Sequence, residues 1–413
     1  MFLRLAFKSL LNRKGSVSLT LLAMTVSIFV LLGVEHVRQQ AKESFRNTVS
    51  GLDLVVGAKT SGLNLLLYSV FRIGSPTNNI SWRSFEEIGG NPHIAWAVPI
   101  SLGDSHRGYR VLGTSRDYFQ HYGYGRKRKL TFSQGQPFAG VFEVVLGSEV
   151  ARKLDYHLGE NLILTHGLSN TNFNLHKDKS FQVVGILGPT GTPVDQTLHV
   201  SLAGIEAVHS DWTTIGERSF DRDMDGQLIE SNLKPEMITA FMVGLKSKMT
   251  TFRVQRDINN YTSEPLLAIL PGVALSELWQ MTGMLENVLR LASVLILASS
   301  LLGLSAMLLA SIRERKHEIQ LLRAIGASPR FIFLLIELEA LLISFFSIVI
   351  GATTLYFFTY YGADYLASSF GLYIDTAILS RSNSRLCLIV LIATALVATL
   401  PSFNAYRKAR SGL

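Results

Sequence analysis

Residues 17–37 read VSLTLLAMTVSIFVLLGVEHV, an apolar run that carries no charge before Glu35. A helix needs about 20 such residues to cross a hydrocarbon core ~30 Å thick, so this run is long enough to span a bilayer. Arg4, Lys8, Arg13 and Lys14 precede it, as basic residues precede a secretory signal. The run exceeds the roughly 7–15 apolar residues of a signal core, however, and no small-x-small cleavage site follows. The expectation is a retained membrane helix.

Three further runs have the same character: 291–311 (LASVLILASSLLGLSAMLLAS), 331–358 (opening FIFLLIELEALLISFF) and 386–406 (LCLIVLIATALVATLPSFNAY). The whole chain of 413 residues is 48% hydrophobic and 17% charged, with a mean hydropathy of +0.27. That balance is too apolar for an ordinary soluble enzyme and too polar for a bare helical bundle. The single cysteine, Cys387, falls in the fourth run, which excludes an intrachain disulfide, a cysteine-rich zinc site and a redox pair.

Short-loop charge gives the orientation. Residues 1–16 carry four Lys/Arg and no acid, 311–330 carry five against Glu314 and Glu318, and 407–413 carry three. The loop 361–385 has only Arg381 and Arg385, with Asp364 and Asp375. The positive-inside bias then puts both termini and the 311–330 loop in the cytoplasm. The expected order is a cytoplasmic amphipathic helix at 1–16, spans at 17–37, 291–311, 331–358 and 386–406, a cytoplasmic turn at 312–330, a short outer loop at 359–385 and a cytoplasmic tail at 407–413. Residues 38–290 form an extracytoplasmic domain. The expected location is a bacterial inner membrane, crossed several times. The net charge of +8 is partly explained by these basic anchors, so no nucleic-acid partner is expected.

The stretch GLDLVVGAKTSG at 51–62 resembles a phosphate loop but is out of register. Five residues separate Gly51 from Gly57, and Ala58 displaces Lys59 from the position where ammonium and backbone N–H groups converge on phosphate. It also lies on the side of the membrane without ATP.

The outer domain reads as α+β. Strand-like runs fall at 53–56, 109–113, 141–146, 161–165, 181–187, 197–201 and 238–245, and helix-like ones at 38–49, 148–155 and 251–261. A β-rich insert at about 111–205 sits within a mixed base made of 38–110 and 206–285. Leu275, Leu278, Thr282, Leu285, Leu289 and Ala292 recur at helical seam spacing, which predicts a stalk helix at about 274–290, packed either on a second copy or on the domain's own core.

Some residues suggest other chemistry. His166 and His176 bracket a polar loop, and a zinc reading would take them as ligands; their separation lacks the tight spacing of a reliable site, and surface histidines are the plainer reading. DRDMDG at 221–226 puts Asp221, Asp223 and Asp225 at calcium-loop positions, but position twelve is Asn232, so an acidic loop is expected. RKRK at 126–129 reads as a solvated loop able to touch anionic lipid headgroups. No catalytic constellation is legible.

Between the second and third spans lies SIRERKHEIQLLRAIGASPRFI, residues 311–332. Ile312, Ile319, Leu322 and Gly326 fall near one helical face and Arg313, Lys316, Gln320 and Arg323 near another, the pattern of a short amphipathic helix stopped by Gly326 and turned at Pro329. From this pattern alone, a membrane-surface anchor is the simplest reading. Arg313, Arg315, Lys316, Glu318, Ile319, Leu321, Leu322, Arg323, Ala324, Ile325, Gly326 and Ala327 closely resemble the cytoplasmic coupling segment of permeases in the MacB/FtsX/LolC–LolE group of ABC transporters. FQVVGIL at 181–187, Glu339-Ala340, Pro401 with its basic tail, and the four-span layout extend the resemblance.

The resemblance implies a non-catalytic permease subunit with no cofactor of its own, whose ATP and Mg are bound by a separate cytoplasmic ATPase dimer docked on residues 313–327. It implies a second permease copy or paralogue and, in some systems, a periplasmic carrier or adaptor. Cargo would be a peptide, a lipid or lipoprotein, or a small toxic molecule, moved at the outer face by mechanotransmission. Two alternatives stand beside this: a signalling scaffold that activates an extracellular hydrolase, and a metal-linked transport system. Glu337 and Glu339 lie within two turns of the cytoplasmic boundary, where a carboxylate reaches water or a basic partner such as Arg330.

Overall fold

A computed structural model describes residues 2–125, 128–166, 175–209, 234–370 and 380–410. The chain folds as two compact units. A head is built from Lys42–Met281 together with a short stretch that begins at Ala367, and a helical unit from the residues before Lys42, Thr282–Leu366 and the chain's last segment.

Among the described residues, the helical unit contains α1 (Phe2–Leu11), α10 (Lys316–Ala324) and α12 (Arg381–Arg410), with most of α2 (Lys14–Val49), of α9 (Pro271–Glu314) and of α11 (Pro329–Phe370). Four of these helices are long and apolar enough to cross a membrane: α2, α9, α11 and α12. Their inner faces meet in one cluster that includes Met24, Ile28, Leu304, Leu308, Ile336, Ile343 and Val390. Their outer faces are apolar as well. Leu388, Ile392, Leu396, Leu400 and Phe403 stripe α12 toward the surroundings, an arrangement that is stable against lipid and costly against water.

Since lipid offers no hydrophobic drive between helices, close contact rests on small and hydroxylated side chains. Ser300 Oγ donates to Ala23 O across α2 and α9 at 3.4 Å, Ser347 Oγ donates to Leu21 O at 3.3 Å, and Thr394 Oγ1 donates to Ser344 Oγ at 3.0 Å. Tyr356, Phe357, Phe358, Tyr360 and Tyr361 are exposed on α11 and form the kind of aromatic belt that settles at a lipid–water boundary.

The head is organised by a ten-stranded sheet. Its order is β14 (Leu266–Ile269), β1 (Leu54–Ala58), β13 (Ala240–Leu245), β3 (Ile94–His106), β4 (Tyr109–Thr114), β11 (Thr197–Ser201), β8 (Glu143–Leu146), β10 (Leu175–Leu187) and β7 (Phe132–Gly135). β9 (Asn161–His166) pairs with both β10 and β3. Strands from 111–205 and strands flanking that range therefore share one sheet.

Alternation along the central strands feeds two cores on opposite faces. Val55, Ala240 and Met242 point into one, with Leu65 and Leu66 of α3 (Gly62–Ser69) and Tyr118 and Phe119 of α5 (Asp117–His121). Leu54, Val56, Phe241 and Val243 point into the other, covered by Ile88 of α4 (Trp82–Gly89) and by Val254 and Ile258 of α8 (Thr251–Asn259). Strands covered on both faces read as continuous apolar runs, which is why DLVV and AFMVGL stand out in the sequence.

The first core also takes in the head's own turns of α2 and α9. Phe45 packs on Phe71 at 4.5 Å and on Trp279 at 5.5 Å between ring centroids, and Val49, Ala274 and Leu275 are buried beside them.

The phosphate-loop look-alike has a packing role. Gly57 lies in β1, where a Cβ would stand 2.7 Å from Leu65 Cδ1 and 2.9 Å from Tyr68 Oη, so its absence lets α3 lie close. At Gly51 a Cβ would meet the backbone of Gly123, with Gly123 O at 2.5 Å. Ser61 caps α3 by accepting from Asn64 N at 3.1 Å. We expect Gly51→Ala to lower stability by about 1–3 kcal/mol through overpacking against backbone that cannot rotate away. Thermal denaturation of the detergent-solubilised chain measures it, and an unchanged melting temperature would contradict the packing role.

Candidate functional site

α9 ends at Glu314 and α10 begins at Lys316, leaving Arg315 alone between them with φ −94° and ψ 19°. Its guanidinium turns inward: Nε donates to Glu318 Oε2 at 2.6 Å and Nη1 donates to Glu339 Oε1 at 3.0 Å. The Arg315 side chain is 16% exposed and that of Glu339 only 3%. Arg13, at the start of the helical unit, joins the same corner by donating from Nη2 to Ser311 O at 3.3 Å. The basic partner of Glu339 is therefore Arg315, from the preceding break, and not Arg330. Glu337, half-buried, leaves one carboxylate oxygen with no hydrogen-bond partner among the described residues.

α10 closes as expected for a glycine stop. Gly326 adopts φ +101°, a conformation glycine reaches without strain, and Ala327 N donates back to Leu322 O at 2.9 Å. Ile312 is buried in the helical core and Leu322 is half-buried. Arg313, Glu318, Ala324 and Gly326 are exposed, and Arg323 is half-exposed. The side chains of Lys316 and Ile319 lie outside the described residues. Sequence reasoning missed one feature of this helix. Leu321 and Ile325, one turn apart, are 63% and 85% exposed and put apolar surface on its outer side. Their i, i+4 spacing was the available signal.

A second ionic corner ties α2, α9 and α12 at the opposite end of the bundle. Glu35 Oε1 accepts from Arg38 Nη2 at 2.6 Å, Gln39 Nε2 at 2.7 Å and Ser382 Oγ at 3.2 Å, with Arg290 Nη2 3.7 Å from Oε2 and Arg38 also 3.5 Å from Glu286. The charge at Glu35, the first in an apolar run, was the sequence signal for it.

The stalk residues divide. Leu275 is buried and Leu278 packs on the head's core, whereas Leu285 and Leu289 are 63% and 46% exposed, and Thr282 is intermediate. Beside them Met281, Met284, Val288, Leu291 and Leu295 follow a 3-4-3-4 spacing and are 57–79% exposed. Between α2 and α9 lies a cleft of about 420 Å³, lined by Arg13, Ser16, Thr20, Ser300, Ser311 and Glu314 among others.

In the head, His166 ends β9 with its backbone opposite Asp104 of β3, and His176 lies in β10. Their side chains, like the whole of 221–226 and residues 126 and 127, lie outside the described residues. Among the described residues, no group of three His, Cys, Asp or Glu side chains is placed to hold a metal ion. His199 is fully buried against Tyr118, its Nδ1 3.4 Å from Val145 O, and burial pushes its pKa down to about 3. His106 is also pushed down by burial, and its nitrogens are taken by Ile163 O at 2.7 Å and Tyr156 Oη at 2.9 Å. His209 of α7 (Leu202–His209) behaves in the opposite way. Its Nε2 lies 3.3 Å from buried Asp104 Oδ1, which raises its pKa, at the edge of a polar hollow of about 300 Å³ that Glu206 and Glu236 also line.

Residues 17–261 match the family described as the MacB-like periplasmic core domain, and residues 290–412 match that described as the FtsX-like permease C-terminal. The chain belongs to the MacB/FtsX-like permease family. Among solved structures, it is similar to the periplasmic region of MacB from Actinobacillus actinomycetemcomitans, at 10% identity and a TM-score of 0.36, covering 57% of this chain and 97% of that one. It is also similar to the extracellular domain of the noncanonic ABC-type transporter YknZ from Gram-positive bacteria, at 11% identity and a TM-score of 0.30, covering 52% and 98%. No curated protein matches the chain. The MacB/FtsX-like chain is thus a multi-pass membrane protein with a mixed α/β extracytoplasmic domain between its first and second spans. Family members are generally non-catalytic membrane subunits that work with a cytoplasmic ABC ATPase.

The His209–Asp104 pair makes the permease's head sensitive to pH. Because the folded pKa of His209 lies above the usual 6.5, its stabilisation is complete below about pH 6.5 and is lost as pH rises through the folded value. The stability that the native chain holds over His209→Asn is expected to shrink in thermal melts as pH rises above about 6.5, while buried His106 and His199, whose lowered pKa values act in the opposite sense at lower pH, affect both chains alike.

Proposed function

We propose that this MacB/FtsX-like permease docks a separate cytoplasmic ATPase on α10 and the turn that follows, and uses its ATP-driven closure to move the extracytoplasmic head. The reading is carried by one observation: the segment between the second and third spans offers exposed Leu321 and Ile325 at the end of α10, with half-exposed Arg323 between them and exposed Arg313 at the end of α9. A transient partner needs an apolar centre with a charged rim, and these residues supply both on one short element. The excess of Lys/Arg in the same loop favours a cytoplasmic location. ATP and Mg belong to the ATPase, and cargo is handled at the outer face. That cargo is a peptide, a lipid or lipoprotein, or a small toxic molecule.

The permease works as a dimer in this reading. Met281, Met284, Val288, Leu291 and Leu295 form an apolar seam along α9 that the single chain leaves uncovered, and a second copy or a paralogue presenting the same seam would bury it.

Two outcomes are expected. Leu321→Asp and Ile325→Asp each weaken co-purification of the ATPase at least about ten-fold, as for an anchor worth more than 1 kcal/mol, and Arg323→Glu weakens it less. Undiminished binding in both apolar variants would remove α10 as the docking element. Independently, Val288→Cys in a Cys387→Ser background cross-links to its own copy in native membranes, read as a dimer on non-reducing gels. A cysteine at exposed Leu396 of α12 does not.

A further inference from the structure

The coupling segment contains one side chain that cannot be a docking contact as the chain stands. Arg315 is 16% exposed, faces inward, and is held by a carboxylate that is 3% exposed. Glu339 lies ten residues beyond the start of α11, about 15 Å along the helix axis. It is bordered there by Ile336, Ala340 and Ile343 of the apolar core. A carboxyl group at that depth calls for a cationic partner, and the planar guanidinium fork suits it better than an ammonium. The remaining charges of the corner are less confined: Glu318 is 59% exposed, Glu314 is exposed, and Arg13 reaches the corner through Ser311 O.

Arg315 is also the one residue between α9 and α10 outside both helices, so a rotation of α10 against α9 turns about its backbone. Its side chain must then either carry Glu339 along or abandon it in hydrocarbon. We infer that the Arg315–Glu339 pair is the positioning contact that passes a load on α10 to α11, while Leu321 and Ile325 receive that load. This rests on the permease reading above. It divides the segment into an outer docking surface and an inner transmission link.

The test uses the full-length permease purified with its ATPase, and reads two quantities in parallel. One is the amount of ATPase retained, and the other is the permease-dependent change in ATP hydrolysis rate. Glu339→Gln keeps the side-chain shape, and is expected to retain ATPase to within about two-fold while the permease-dependent rate change falls about ten-fold. Arg315→Lys keeps the charge without the fork and falls between that variant and the native chain. The swap Arg315→Glu with Glu339→Arg is expected to regain coupling relative to either single variant, a rescue that a generally unfolded corner would not give. Loss of retention in Glu339→Gln as severe as in Leu321→Asp would make the pair part of the docking surface and overturn the inference. An unchanged rate, or a swap no better than the singles, overturns it as well. A native chain that retains no ATPase refutes the docking reading itself, and the inference with it.

Discussion

A helix that leaves hydrocarbon and continues into water must change which of its faces is apolar without breaking its backbone. Two helices here do so, α2 and α9, each contributing turns to both units. Within the helical unit they bury Met24, Ile28, Leu304 and Leu308 against neighbours and leave Leu19, Leu22, Leu295 and Leu302 outward. Within the head the same helices present Phe45, Val49, Leu275 and Trp279 to a protein core. A long insertion between two spans is anchored when its first and last turns are held together. The Phe45–Trp279 contact and the shared core around it do this for the head.

Charge is placed where that change of environment occurs. The corner around Glu35 gathers carboxylates and arginines from α2 and α9 with a hydroxyl from α12, the corner around Glu339 joins α10 and α11 through Arg315 at the break after α9, and between them hydroxyls and close packing link the described helices. Buried ion pairs contribute little net stability, because desolvation offsets most of the attraction, but breaking one by deleting a partner costs about 3–5 kcal/mol. Such pairs therefore act as register marks: they tolerate few relative positions of the helices that share them, whereas an apolar seam tolerates sliding. An element that must shift between discrete positions is better served by the former.

What the sequence made legible follows from the range of the interactions involved. Runs at 109–113, 161–165, 181–187 and 197–201 are strands because β-branched and apolar residues in short uninterrupted runs already specify that geometry locally. β3 was not legible: IAWAVPISLGDSH contains Pro99 and Gly103, which break the pattern, and pairing with β13, β4 and β9 holds it extended. The short helices α3, α4 and α7 escaped for a related reason, since helices of this length are stabilised by the sheet they cover more than by propensity. Glu339 was recognisable as unusual, yet its partner was not, because Arg315 and Arg330 are both near enough in sequence and only the turn at Gly326 decides which side chain returns to α11.

The segment at 313–327 shows how far a motif can be taken. Its residues are read from the sequence as a set, but a motif does not say which members face outward and which face the protein. Burial divides them: Arg315 faces Glu339, Ile312 is buried in the bundle, Leu322 is half-buried, and Leu321 and Ile325 face out. An arginine committed to an internal carboxylate cannot also serve a partner's surface without first leaving an unpaired charge behind. Outward and inward side chains are thus divided along α10 and the two residues that flank it, Arg315 before and Ile325 after, and in the proposed function they would serve recognition and transmission respectively.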